Sequence, residues 1–212
     1  MKKIVFFLAV VIIAGFTTNS FAQKNRTLSR GFSISLITGL PIGNYGWIRD
    51  GNIDEFKLGY IAGLQIGSRW YFSPGEKFGA GLMVNWFDIT AGYKSTTNGF
   101  GTTNRAVADV SVCEFGPIAT FALSDDIALD AYYNLRPTGF ANIFQFDNNT
   151  DEESYAGGGV SHAIGTAFRW NVLNVGLEFV LGSIKCSNTN PDYNFEGKFM
   201  INNIRIMLGV KF

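Results

Sequence analysis

From Ile204 to the last residue the chain alternates strictly. Ile204, Ile206, Leu208, Val210 and Phe212 share one face, and Arg205, Met207, Gly209 and Lys211 share the other. Successive side chains of a β-strand point to opposite sides of the sheet. In a water-soluble sheet the apolar face turns inward and the charges turn outward. In a membrane barrel the aliphatic residues meet lipid, while charge and glycine line the lumen. A single strand cannot decide between these, but the same pattern recurs along the whole chain.

Seven earlier segments carry it. Gly31 to Thr38 sets Phe32, Ile34 and Leu36 against Ser33 and Ser35. Leu58 to Phe72 sets Tyr60, Ala62, Leu64, Ile66, Trp70 and Phe72 against Gly63, Gln65, Gly67 and Arg69. Phe78 to Ile89 sets Phe78, Ala80, Leu82, Val84 and Trp86 against Gly79, Gly81, Met83 and Asn85. Val107 to Leu123 is irregular: Phe115, Ala119 and Phe121 fit one face while Val110 and Val112 fall on the other, which points to a bulge near Cys113. Ile127 to Leu135 sets Leu129, Ala131 and Tyr133 against Asp130, Tyr132 and Asn134. Gly158 to Trp170 sets Ile164, Thr166, Phe168 and Trp170 against Ala163, Gly165, Ala167 and Arg169. Leu173 to Ser183 sets Val175, Leu177, Phe179 and Leu181 against Asn174, Gly176, Glu178 and Gly182. With the terminal strand the total is eight, an even number.

The connections alternate as well. Three are tight: "SPGEK", "SDD" and "NVLN". Four are long and polar: Leu40 to Lys57, Lys94 to Ala106, Gln145 to Gly157 and Cys186 to Gly197. Outer-membrane barrels have short periplasmic turns and long extracellular loops, so the rhythm predicts an all-β, eight-stranded antiparallel up-and-down transmembrane β-barrel with both ends of the mature chain in the periplasm. On that map Phe72, Phe78, Phe121, Trp170 and Phe212 fall at one level beside the short turns, with Trp70 one pair deeper. This is the expected periplasmic aromatic girdle. The opposite face carries Arg69, Glu114, Asp130, Arg169, Glu178, Arg205 and Lys211. Exposing that face to lipid would cost several kcal/mol for each unpaired charge, on the order of a buried ion. The first six are therefore expected to form a structural charge network in the lumen.

The beginning of the chain reads as a cleaved leader. Lys2 and Lys3 precede an apolar run from Ile4 to Phe16, and Ser20-Phe21-Ala22 makes a small-x-small site. Residues 1–22 are the expected signal peptide and 23–212 the barrel domain. The apolar run is short for a membrane-spanning helix, and the residue directly after the cleavage site is Gln23 and not Cys, which argues against a lipoprotein. Removing Lys2 and Lys3 leaves 15 Lys+Arg against 17 Asp+Glu, a net charge of −2. Such a balance argues against a nucleic-acid partner. No later apolar stretch is long enough to cross a bilayer as a helix. Cys113 and Cys186 sit in no metal-type spacing, and on this strand map they are two separate thiols.

The leader, the strand–turn–strand–loop rhythm, and Phe212 with alternating Val210, Leu208 and Ile206 resemble the outer-membrane β-barrel proteins of Gram-negative bacteria, especially the small eight-stranded kind. The glycine-rich strands and Gln23 after the cleavage site are similar to the "outer membrane protein beta-barrel domain" proteins of Bacteroidetes. The resemblance covers roughly residues 23–212. It implies a cell outer-membrane location and makes Phe212, Val210 and Leu208 a signal read by the barrel-assembly machinery.

Chemistry is hard to find. His162 is the single histidine, and Ser161 beside it points to the other face of its strand, so the two cannot act as base and nucleophile. "DNNTDEES" places Asp147, Asn149 and Asp151 at calcium-loop positions, but Glu152 replaces the glycine and Gly158 stands where the closing glutamate belongs. Trp47 in "NYGWIRD" is an aromatic in the first long connection. No cofactor is implied. An eight-stranded barrel has an interior just wide enough for side chains, so the expected function is non-enzymatic. The partners are outer-membrane lipid and any protein met by the extracellular loops in envelope structure, adhesion or partner binding. The alternative is a soluble exported lipocalin-like barrel holding a small apolar ligand.

Overall fold

A computed structural model of the chain describes residues 26–43, 45, 58–98, 101–146, 152–190 and 196–212. The leader, Trp47 and the Asp147–Asp151 segment lie outside the described residues. After a 3-10 turn at Arg26–Leu28 come β1 (Gly31–Pro41), β2 (Ile61–Pro74), β3 (Phe78–Asn98), β4 (Gly101–Ala122), β5 (Ile127–Phe146), β6 (Glu152–Trp170), β7 (Leu173–Asn188), β8 (Glu196–Met200) and β9 (Asn203–Lys211). Neighbours in sequence pair antiparallel from β1 to β7. The terminal β9 then pairs with β7 on one side and with β1 on the other. The ring is closed through eight strands, and among the described residues each of those eight is paired on both sides. Phe32 and Phe212 seal the seam by exchanging backbone hydrogen bonds of 3.1 and 2.8 Å.

β8 is the upward continuation of β9. Both follow β7 in one register, with Ser183 opposite Met200 and Val180 opposite Asn203. At the break the Asn202 carboxamide accepts from the Gly182 N–H at 2.9 Å, and the Asn202 carbonyl accepts from the Ile42 N–H at 2.8 Å.

Two of the connections expected to be long polar loops are largely strand, and a third is strand in part. β3 and β4 continue as a paired hairpin through Lys94–Ala106, up to Asn98 opposite Gly101. β5 and β6 close in from Gln145–Gly157 as far as Phe146 and Glu152, and β7 and β8 from Cys186–Gly197 to Asn188 and Glu196. Polarity is no obstacle to a strand once it leaves the membrane. Thr and Tyr favour a pleated surface, and here Tyr93 donates to Asn104 at 2.9 Å while the Thr97 and Thr102 hydroxyls lie 3.1 Å apart.

A bulge interrupts the ring where the fourth segment lost its period. The β4–β5 register shifts between Ser111 and Phe115, and the β2–β3 register shifts between Ile66 and Gly67. Cys113 adopts φ 54° there. The extra residues leave Val112 with Cys113, and Trp86 with Phe87, as consecutive outward neighbours. Val110 and Val112 therefore share the outer face with Phe115, Ala119 and Phe121.

The two faces are chemically inverted relative to a soluble protein. Leu36, Phe72, Val175, Leu177, Phe179, Ile206 and Leu208 are exposed on the outside, while Arg69, Asp130, Arg136, Glu178 and Arg205 are sealed within. The interior is layered. Leu28, Ile37, Tyr71, Met83, Ile118, Tyr132 and Met207 form an apolar layer at the short-turn end. Tyr45, Val107, Phe140, Phe144, Ile184 and Phe199 belong to a second at the long-connection end. Polar residues fill the space between and among them.

Candidate functional site

The charged interior divides into two clusters. The lower is centred on Asp130 of β5. Arg169 grips it with two hydrogen bonds, Nε to Oδ2 at 2.7 Å and Nη2 to Oδ1 at 2.9 Å. Arg69 pairs with Oδ2 at 3.2 Å, and the Thr120 hydroxyl donates to Oδ1 at 2.6 Å. The fork of Arg169 fits a carboxylate because both groups are planar. Its remaining nitrogen donates to the Thr27 carbonyl at 2.8 Å, which pins the N-terminal 3-10 turn beneath the barrel. Lys211 adds a second pin, donating to the Ser29 carbonyl at 2.8 Å.

The upper cluster gathers four carboxylates around two guanidiniums. Arg136 donates through Nε to Glu114 at 2.5 Å and lies 3.3 and 3.4 Å from Asp88 and Asp109. Arg205 reaches Asp88 at 2.9 Å, Asp109 at 3.1 Å and Glu178 at 3.6 Å. Neutral donors complete the shell. Gln65 donates to Asp88 at 3.0 Å, Asn85 to Glu114 at 2.9 Å, Tyr132 to Glu178 at 3.1 Å, and the Thr90 hydroxyl to Asp109. Tyr45, from the first long connection, turns into the mouth and donates to Asp109 at 2.9 Å. Arg105 holds it there by donating to the Tyr45 carbonyl at 2.8 Å.

Of the six lumen residues read from the sequence, Arg69, Asp130 and Arg169 lie in the lower cluster, and Glu114, Glu178 and Arg205 in the upper. Asp88, Asp109 and Arg136 complete the upper cluster and were missed. Counted in twos from Phe78, Asp88 falls outside; the bulge at Trp86 turns it inward. Asp109 lies in the irregular fourth segment. Arg136 stands one residue beyond the expected strand end at Leu135, and β5 continues past it. Pro137 is accommodated opposite the β4 bulge, where the β4–β5 pairing skips from Thr138 to Leu135 and requires no N–H from it.

The aromatic residues named from the sequence sit on the outer face at strand ends. Phe78 and Phe121 are cross-strand partners with ring centroids 5.1 Å apart. Trp70 meets Trp86 edge-on at 5.8 Å, and the Trp86 indole donates to Ser68 at 2.9 Å. Phe72, Trp170 and Phe212 are exposed. Ser161 faces inward against Thr138 at 2.8 Å, while His162 faces outward against the Tyr133 hydroxyl at 2.7 Å. Both cysteines are free: Cys113 is exposed on β4 and Cys186 buried on β7. Among the described residues no group of histidine, cysteine and carboxylate side chains could hold a metal ion.

An antiparallel ring with an aliphatic exterior and ion pairs sealed inside has the architecture of a transmembrane β-barrel. A lipocalin requires the reverse, an apolar cavity within a polar shell. Among solved structures, the chain is similar to OprG of Pseudomonas aeruginosa (12% identity, TM-score 0.49, covering 86% of this chain and 95% of that one). It is also similar to Ail of Yersinia pestis, the attachment invasion locus protein, in complex with the heparin analogue sucrose octasulfate (13%, 0.48, 86% and 97%). A further likeness is to the outer membrane protease OmpT of Escherichia coli (8%, 0.46, 92% and 98%). At these values the likeness is one of outline and transfers no activity. No protein-family model matches the chain, and no curated protein matches it.

Proposed function

We propose that the chain is a non-enzymatic integral protein of the bacterial outer membrane, of the Bacteroidetes barrel type. It is exported by cleavage of residues 1–22 and stands with its short turns in the periplasm and its long connections outside. The observation that carries this is the inversion of the two faces around a closed ring. A band of exposed Leu, Ile, Val and Phe encircles a lumen of buried Arg, Asp and Glu. In water that band would be far larger than the apolar patches a soluble monomer exposes. In lipid it is the stabilising surface, and closure satisfies the backbone polar groups.

The lumen is stoppered rather than open, with the 3-10 turn below, Tyr45 above and two ion clusters between. This favours a protein that works through its outer surface and surface connections, in envelope structure, adhesion or partner binding, over a diffusion pore. Phe212, Val210 and Leu208 serve as the assembly signal, and Trp70, Phe72, Phe78, Phe121 and Trp170 as the periplasmic anchor. The test is gel mobility of the full-length protein, boiled and unboiled, in a washed outer-membrane fraction. A fold-dependent shift in the membrane fraction is expected. Release into the soluble periplasm without such a shift would sink the reading.

A further inference from the structure

One cross-strand row on the outside of the barrel departs from the rest of the surface. Lys198 of β8 lies opposite Lys185 of β7, Lys185 opposite Gly158 of β6, and Gly158 opposite Gly139 of β5. All four are exposed on the outer face. The row above continues the bareness with Ser187, Ala156, Ala141 and Ala108, headed on β8 by Glu196. Below it lie Met200 beside Ser183 and Val160 beside Pro137. The apolar belt of β7 runs from Leu173 to Leu181. The lysines therefore stand on the first charged tier beyond that belt, at the long-connection end.

Two features of this row call for an occupant. Like charges directly opposite one another destabilise a sheet, yet among the described residues neither lysine forms an ion pair. Among the described strand residues that face outward they are the only lysines or arginines. The glycines are the second feature. At Gly116, Gly157 and Gly165 an added Cβ would collide with a neighbouring carbonyl or ring, so packing demands glycine. At Gly158 the nearest atom to a Cβ would be the Thr138 carbonyl oxygen at 3.7 Å, and at Gly139 the Val110 carbonyl oxygen at 3.8 Å. These are ordinary contacts. Glycine weakens a strand interior, so the shelf is bare at a cost that packing does not require.

We propose that the row is a binding site for the phosphorylated sugar headgroup of an outer-leaflet glycolipid. The phosphate lies between the Lys185 and Lys198 ammonium groups, each donating charge-assisted hydrogen bonds. The sugar ring lies flat over Gly158 and Gly139, where side chains would hold it off. Its acyl chains descend over Val160, Leu181 and Met200. This site rests on the reading of the chain as an outer-membrane barrel with its long connections outside.

The test uses the full chain, folded in detergent, with native mass spectrometry as the readout. Probes are bisphosphorylated lipid A, its fully dephosphorylated form, phosphatidylglycerol and inorganic phosphate. The expected result is preferential capture of bisphosphorylated lipid A, weakened about tenfold or more in the double variant Lys185→Gln/Lys198→Gln, equivalent to roughly 1.4 kcal/mol. Gly158→Leu should keep the fold-dependent gel shift and lose the same preference. Wild-type binding by the double variant would overturn the proposal, as would equal capture of the dephosphorylated lipid or of phosphatidylglycerol. Inorganic phosphate competing as well as the lipid would reduce the site to a simple anion site. A dimer in the wild-type spectra that Gly158→Leu abolishes would assign the shelf to a second copy. An unmodified chain that shows no gel shift would instead refute the membrane reading beneath it.

Discussion

Tyr45 and Asp109 are joined across 64 positions of sequence by a hydrogen bond of 2.9 Å, which ties the first long connection to the ion cluster at the centre of the barrel. The Tyr45 ring also meets Phe140 edge-on at 6.1 Å. Tyr45→Phe should keep the packing and lose only the hydrogen bond to a carboxylate, about 1.5–3 kcal/mol of unfolding free energy. Tyr45→Ala should also remove the upper stopper. Urea titration in lipid vesicles measures the first, and single-molecule conductance in a planar bilayer should detect opening only with the alanine variant.

Among the described residues Arg136 is the sole guanidinium bonded to Glu114, and it shares Asp88 and Asp109 with Arg205. Arg136→Met should cost about 3–5 kcal/mol, because it strands a buried carboxylate. Arg69→Met should cost less, since Asp130 keeps its two-point contact with Arg169. Equilibrium unfolding of the two variants under identical conditions gives the order. Equal losses would show that the clusters do not act as separate units.

Gly165 faces the Tyr132 ring so closely that a Cβ would overlap it. Gly165→Val must displace that ring and break its bond to Glu178, with an expected cost of about 1–3 kcal/mol from overpacking. Adding Tyr132→Ala should restore part of the lost stability. A double variant no more stable than Gly165→Val would place the strain elsewhere.

Phe212 contributes a backbone pair to the seam and an exposed ring. Phe212→Ala should therefore leave refolding in detergent nearly intact, with a loss of about 1 kcal/mol or less, while sharply reducing the folded protein recovered from cells. Parallel loss in both settings would make the ring a structural element and remove its role as an assembly signal.

Most of the barrel could be read from alternation, because a strand with lipid on one side and a packed lumen on the other has little freedom of composition. Arg69, Asp130 and Arg169 stand on stretches of strand where the parity holds, and counting in twos placed them on the inward face. The same counting failed one residue past Trp86, where a bulge reverses the parity and carries Asp88 inward. The expected fifth strand ended at Leu135, one residue short of Arg136, although β5 runs on through Pro137 to Phe146. The hairpin of β3 and β4 beyond Lys94 was hidden for a different reason. Outside the membrane both faces are polar, so the alternation of apolar and polar residues disappears although the backbone pairing persists.

The pins that hold the N-terminal 3-10 turn have a consequence for how the barrel comes apart. Lys211 reaches Ser29 across 182 positions, and Arg169 reaches Thr27 across 142. The first described residues are thus clasped by Lys211 of β9, at the seam where β1 meets β9, and by Arg169 at the end of β6. No terminal strand can peel away without releasing the floor of the barrel and wetting Asp130. Fraying from either end is penalised from the first step, so loss of structure should proceed as a single cooperative event, and closing the ring should be the slow, entropy-limited step of folding.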